Sequence, residues 1–160
     1  MLLKKIIPWL FVLAFMVLIF CFSRQEAKES SKLSDRVSYR VVETTGKITG
    51  RKLKNKEIEK GAQKIEGLVR KLAHVTEYGI LALLLLHAFY KTTGLTGKSA
   101  LIASLLICMA YASSDEFHQL FVAGRAGRLT DVFIDTGGSA IFGGIAIMII
   151  NIRNRKRRSN

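Results

Sequence analysis

Apolar residues gather in four blocks along the chain, at residues 6–22, about 73–90, about 99–113 and about 132–152. A helix needs about 20 apolar residues to cross the ~30 Å hydrocarbon layer of a bilayer. The fourth block fits this length, the second is adequate, and the third is short unless its helix continues through residues 114–120. The pattern therefore predicts an all-α membrane protein with four transmembrane helices and both termini on one side.

The first block follows Lys4 and Lys5, and a basic start of this kind is shared by signal peptides and anchor helices. A signal peptide ends in a cleavage site made of small residues, whereas this block ends in Cys21, Phe22 and Ser23. We therefore interpret residues 1–22 as a retained N-terminal anchor helix.

The segment at residues 23–70 is polar but has helical periodicity. Apolar residues first recur every four positions (Leu33, Val37, Val41), and Gly46 and Gly50 then interrupt the repeat. A second stripe follows at steps of four and three (Ile58, Ala62, Ile65, Val69, Leu72). This stripe predicts an amphipathic helix that begins near Asn55 and runs into the second span. Two interpretations remain open: the helix packs over the mouth of the bundle, or it lies on an anionic membrane surface.

Charge sets the expected orientation and argues against one class of partner. The chain has 160 residues, 49% of them hydrophobic, with 25 Lys and Arg against 12 Asp and Glu. The basic residues flank the apolar blocks and do not form a basic patch that could contact nucleic acid. Their distribution therefore argues against nucleic-acid binding. Fourteen of them are spread over residues 23–71. Nine lie on the side that carries both termini, where the densely basic tail 153–160 directly follows its helix. We expect cytoplasmic termini, an extracytoplasmic segment 23–70 and a three-span core at 71–152.

Five acids lie outside the polar segment, at Glu77, Asp115, Glu116, Asp131 and Asp135. Ionisable groups at membrane depth are costly, so by default they mark function. In the four-span topology all five lie near the outer ends of three spans. Five further polar residues belong to the same level (Lys71, His74, Tyr78, His118, Gln119). The sequence therefore predicts one polar site at this end of the bundle.

Small residues on the fourth span predict that its acidic face turns inward. Asp135, Ser139 and Gly143 form one row at four-residue spacing, and Thr136, Ala140 and Gly144 form a second. Rows of small residues let helix backbones approach closely.

The connector at residues 121–130 reads FVAGRAGRLT. Gly124 and Gly127 allow a tight path, and Arg125 and Arg128 face either the carboxylates or an anionic ligand. The planar guanidinium suits both partners. Arginine–aspartate pairs that lock the loop and an anion-binding site therefore remain alternatives.

Three runs carry a family resemblance: KLAHVTEYGILA at 71–82, DEFHQLFVAGR at 115–125 and DVFIDTGG at 131–138. In order and spacing they resemble the VanZ-like family of bacterial membrane proteins. The chain departs from that pattern at Ala123, where such proteins commonly have proline. The resemblance implies a multi-pass protein of the bacterial cytoplasmic membrane, associated with resistance to the lipid-bearing glycopeptide teicoplanin.

Three function classes follow from these residues. In the first, the site binds a glycopeptide or a lipid-linked envelope ligand among membrane lipids (through Lys71, Tyr78, Gln119, Arg125, Arg128). In the second, the protein is an enzyme acting on a lipid-linked substrate (catalytic candidates His74, Glu77, Asp115, Glu116, His118, Asp131, Asp135). A metal-dependent version would use four of these as ligands (His74, Asp115, His118, Asp131), although no HExxH motif or nucleophile elbow is present. The third is a proton-coupled transporter or a structural partner, and His87 looks too isolated to extend a proton path.

Overall fold

The computed structural model describes residues 2–25 and 27–159; Met1, Glu26 and Asn160, which fall in the predicted anchor, segment and tail, lie outside the described residues. Within these ranges the chain forms five α-helices and no strand. The helices are α1 (Leu2–Ser23), α2 (Ala27–Ile48), α3 (Asn55–Thr92), α4 (Gly97–Gln119) and α5 (Leu129–Ser159). By length and composition α1, α3, α4 and α5 are long and apolar enough to cross a membrane. The predicted all-α fold with four spanning helices is confirmed.

Two helices extend beyond their apolar blocks. Helix α4 continues to Gln119, so the third span has the length that its apolar block alone lacks. Helix α3 begins at Asn55, as the stripe predicts, and runs for 38 residues without a break. At 1.5 Å per residue it is about 57 Å long, nearly twice the ~30 Å hydrocarbon layer. Its N-terminal half therefore projects beyond the spanning bundle.

Helix α3 is the centre of the bundle. Its Tyr78, Leu81 and Leu85 are fully buried and form the core together with residues from α1 and α4. Helix α1 runs antiparallel to α3, and the Trp9 indole Nε1 donates a hydrogen bond to Thr92 Oγ1 at 3.1 Å. These contacts bring the end of α1 and the middle of α3 to the same level.

The projecting half of α3 pairs with α2 in an antiparallel hairpin. Ile58 and Ala62 of the predicted stripe are buried, and Gly61 lies against Val42 of α2. The buried part of the stripe therefore packs against α2, a helix of the same segment. We call the end of the bundle that carries this pair the hairpin side, and the opposite end the termini side.

The repeat in α2 marks its outer face. Leu33, Val37 and Val41 are about half exposed, whereas Ser34 and Ser38 are buried. Small polar side chains allow close packing against α3, so the contact face of α2 is its serine face.

The backbones of α3 and α5 approach each other closely at Gly138. A Cβ added at Gly138 would lie 2.6 Å from the Val75 carbonyl oxygen, so the two backbones touch there. Beside it, the buried Ser139 hydroxyl donates to the Tyr78 carbonyl oxygen at 3.1 Å. The row that contains Ser139 is thus an interhelical contact. The row through Ala140 and Gly144 is not, because Ala140 is exposed and Gly144 faces open space.

Candidate functional site

A cavity of about 310 Å³ opens on the hairpin side between α3, α4, α5 and the 120–128 loop. It collects charged residues from four parts of the chain. Its lining consists of Gly67, Arg70, Lys71, His74, Glu116, Gln119, Gly124, Arg125, Ala126, Arg128, Asp131, Ile134 and Asp135. Nine of the sequence-predicted positions (Lys71, His74, Glu116, Gln119, Gly124, Arg125, Arg128, Asp131, Asp135) therefore meet around one space.

The two aspartates of α5 lie one turn apart on the cavity wall. Asp131 is half-buried at its rim, while Asp135 is only 2% exposed, and the Oδ1 atom of Asp135 has no hydrogen-bond partner among the described residues. Glu116 of α4 is also buried, and its Oε2 accepts a hydrogen bond from the Arg128 backbone N–H at 2.8 Å. The cavity thus has an acidic floor beneath the arginine loop.

Asp115 lies behind this wall. It is buried, and its Oδ2 accepts a hydrogen bond of 3.2 Å from Gln119 Nε2. The same amide nitrogen donates to the hydroxyl of the buried Ser23 at the end of α1, at 3.0 Å. Asp115 and Gln119 therefore connect α4 to α1, and only Gln119 also reaches the cavity.

The two histidines of the site face different neighbours. His74 lines the cavity, and its Nδ1 is 3.7 Å from Glu77 Oε2. His118 lies against α1 instead, with its ring 4.8 Å from the ring of Phe20. In the described part of the chain no three His, Cys, Asp or Glu side chains are placed to hold a metal ion. The four candidate ligands (His74, Asp115, His118, Asp131) are not brought together as a set, because α4 turns His118 toward α1.

Glu77 and Tyr78 are one turn deeper on α3 than His74. Glu77 is half-buried next to His74, while Tyr78 is fully buried in the core, with its ring 6.2 Å from that of Tyr111. Neither residue is part of the cavity lining. Of the predicted ligand-binding residues, Tyr78 is thus placed as a core residue.

The connector follows a path that requires its glycines. Gly124 has φ +74°, in the left-handed region that favours glycine. Gly127 lies so close to the Glu116 carbonyl oxygen that a Cβ would collide with it. The predicted tight path is therefore present, and it holds the loop directly over α4.

Arg125 fastens this loop to the start of the hairpin. Its Nε donates a hydrogen bond of 3.1 Å to the carbonyl oxygen of Gln25, between α1 and α2. Burial is the main cause that lowers the pKa of the Arg125 guanidinium, and the nearby Arg70 lowers it further. Both effects are unfavourable to the cation, so an anion in the cavity would offset them.

The other cations that line the cavity differ in whether their side chains contact other residues of the protein. Arg70 contacts Ser31 and Glu66 through its Nη2 atom. The side chains of Lys71 and Arg128 form no hydrogen bond or ion pair with any described residue, and no arginine–aspartate ion pair occurs in the same ranges. Sequence reasoning missed Arg70, although it directly precedes Lys71 on the same helix. It also missed Ser23 and Gln25, for which no local pattern gives a signal.

Large apolar side chains surround the loop on the outer surface. Phe117 and Phe121 stack edge to face at 5.4 Å between ring centroids, and both are mostly exposed. Leu129 and Phe133 at the start of α5 are exposed as well. A cluster of exposed apolar side chains of this kind marks a surface that contacts lipid or another apolar partner.

The chain is thus a multi-span helical membrane protein with a charged cavity at one end of its bundle. The sequence pattern of the VanZ/LLP1 family matches residues 8–151, nearly the whole chain. The protein belongs to the VanZ-like family, as the three motif runs suggest. No curated protein and no solved structure matches it.

Proposed function

We propose that the hairpin-side cavity binds the anionic group of an envelope amphiphile, either a lipid-linked envelope ligand or a lipid-bearing glycopeptide such as teicoplanin. Through this binding the protein would modulate the bacterial cell envelope and contribute to teicoplanin resistance. The observation that carries the proposal is the state of Lys71 and Arg128, which line the cavity without an ion-pair partner among the described residues.

The arrangement of charges supports an anionic ligand over a purely structural role for the loop. If the arginines only locked the loop to α5, they would be paired with Asp131 or Asp135. Instead Arg125 bonds the carbonyl oxygen of Gln25, and only the backbone of Arg128 contacts a carboxylate. The Arg128 guanidinium is therefore available for the paired hydrogen bonds that phosphate and carboxylate groups accept.

The apolar surroundings support an amphiphilic ligand. The exposed Phe117, Phe121 and Phe133 flank the loop that covers the cavity. A ligand with an acyl chain would bury its chain against such residues while its charged group enters the cavity. In this proposal the termini are cytoplasmic and the cavity faces outward, where glycopeptides and envelope intermediates are met.

Susceptibility to teicoplanin tests the functional part of the proposal. A susceptible bacterial host would express the wild type, Arg128→Gln or Arg36→Gln, with membrane abundance matched and an empty vector beside them. Arg36 is an exposed cation on α2 that carries the same charge but does not line the cavity. We expect protection by the wild type and Arg36→Gln, and its loss in Arg128→Gln.

Two outcomes would contradict the proposal. If the wild type behaves like the empty vector, this chain does not confer resistance. If Arg128→Gln protects as well as the wild type, the cavity is not the site that matters for resistance.

A second candidate function is an enzyme acting on a lipid-linked substrate. The observation in its favour is His74, which lines the cavity with Glu77 at 3.7 Å and the aspartates of α5 on the facing wall. A histidine beside carboxylates is suited to general acid–base catalysis. The enzyme hypothesis predicts release of phosphate from a lipid-linked phosphate ester by the purified protein, and loss of that release in His74→Gln. Equal release by both proteins would exclude the proposed role of His74.

A further inference from the structure

A second cavity, of about 470 Å³, lies on the termini side between the end of α3, the start of α4 and α5. Its inner wall is apolar and includes Leu86, Ala100 and Ile147. Its volume is within the roughly 300–1,000 Å³ of typical ligand pockets. Because α3, α4 and α5 are long and apolar enough to span a membrane, we expect bilayer lipids to be the molecules nearest to this cavity.

Three polar side chains line this cavity. His87 comes from α3, and Asn151 and Asn154 come from α5. The two asparagines are three residues apart and therefore share one face of the helix. None of these three side chains forms a hydrogen bond to a described residue, so their donors are available to a ligand.

The charged residues close to this cavity in the sequence are all basic. A neighbouring groove of about 330 Å³ shares Ile147 and Asn151 with the cavity and adds Arg155. In the sequence, residues 78–114 and 136–160 contain no Asp or Glu, while Lys91 and Lys98 flank the cavity's lining residues. A positive field without a balancing carboxylate favours an anionic partner.

We propose that this cavity is a binding site for an anionic phospholipid of the surrounding bilayer. One acyl chain lies along the apolar wall at Leu86 and Ile147. The phosphate is bound by the amides of Asn151 and Asn154 and by the guanidinium of Arg155. A neutral lipid would leave the charged groups without a counterion, and a second copy of the chain would bring an equally basic end against this one.

Native mass spectrometry of the purified full chain in neutral detergent tests the proposal. The probes are phosphatidylglycerol and phosphatidylcholine with identical acyl chains, titrated over the same concentrations. We expect the wild type to retain phosphatidylglycerol preferentially. Arg155→Gln should weaken that binding about tenfold, because a hydrogen bond to a charged group is lost. Arg153→Gln removes the same charge two residues away, outside the two grooves, and should bind as the wild type does.

A second pair of variants tests the apolar wall. Ile147→Trp fills the space shared by both grooves, whereas Ile145→Trp adds the same bulk on an exposed face of α5. We expect only Ile147→Trp to reduce lipid retention. Three results would overturn the proposal: equal retention of both lipids, an equal loss in Arg155→Gln and Arg153→Gln, or a dimer that Ile147→Trp dissociates. This site is independent of the hairpin-side cavity, so failure of one proposal leaves the other standing.

Discussion

Gly138 lies where α5 crosses α3, about one turn after Asp135 and against Val75, the residue that follows His74. A Cβ at this position would be 2.6 Å from the Val75 carbonyl oxygen and 2.9 Å from Val75 Cα. Both are backbone atoms, so no side-chain rotation relieves the contact. To reach the ordinary contact distance of 3.4 Å, the two helices must separate by about 0.8 Å. Such overpacking costs about 1–3 kcal/mol.

Gly137→Ala supplies a matched control for Gly138→Ala. A Cβ at Gly137 meets nothing within 4 Å. Both substitutions replace glycine by alanine inside α5, so both gain about 1 kcal/mol of helix propensity. The difference between the two variants therefore isolates the steric contact. We expect Gly138→Ala to be less stable than Gly137→Ala by about 1–3 kcal/mol.

Unfolding of purified protein in mixed micelles, followed by circular dichroism, measures this difference. Equal free energies of unfolding for the two variants would contradict the close backbone contact between α3 and α5 at Gly138. A less stable Gly137→Ala would do so as well. If the crossing sets the shape of the hairpin-side cavity, Gly138→Ala should also weaken ligand binding there, while Gly137→Ala should not.

Two further contacts give predictions of similar size. Gly124→Ala places a side chain at φ +74° and should lower the free energy of unfolding by about 1–2 kcal/mol; an unchanged value would mean that the loop reorganises easily. Tyr111→Phe removes the hydroxyl that donates to the Met16 carbonyl oxygen at 2.5 Å, and should lower the same free energy by about 0.5–1.5 kcal/mol. The same mixed-micelle unfolding measures it, and an unaltered stability would contradict the α1–α4 contact.

The spanning helices could be predicted because each is specified by local sequence. The start of α3 at Asn55 and its continuation to Thr92 follow from an apolar stripe that merges into an apolar block. The extension of α4 to Gln119 could be stated only as a condition, because residues 114–120 are polar enough to end a span. Length and hydropathy thus determine the number of helices better than their exact ends.

Which side of each helix is buried was harder to predict, because this depends on packing partners that are distant in the sequence. In α2 the apolar residues Leu33 and Val37 are exposed, whereas Ser34 and Ser38 are buried. The small serine side chains allow α2 to pack closely against α3. His118 shares a helical sector with Asp115, but it packs beside the ring of Phe20 on α1 and is not part of the cavity lining.

The sequence predicted that the charged residues lie at one depth of the bundle, but it did not predict which residues each of them contacts. Six acidic or basic side chains named from the sequence line one cavity (Lys71, Glu116, Arg125, Arg128, Asp131, Asp135). The bond from Arg125 to Gln25 joins positions a hundred residues apart. No local pattern encodes such a pair, so whether the loop arginines are tied to the carboxylates could not be decided before their contacts were known.

The hairpin-side cavity is proposed to bind an anionic amphiphile through its cations. Isothermal titration calorimetry with monododecyl phosphate in neutral detergent measures this binding. The protein would carry Arg155→Gln throughout, so that the termini-side groove contributes little. On that background we predict saturable binding that Arg128→Gln weakens about tenfold or more and Arg36→Gln leaves unchanged. Equal affinity with and without the Arg128 side chain, or an equal loss in Arg36→Gln, would mean that this cavity does not bind the anion.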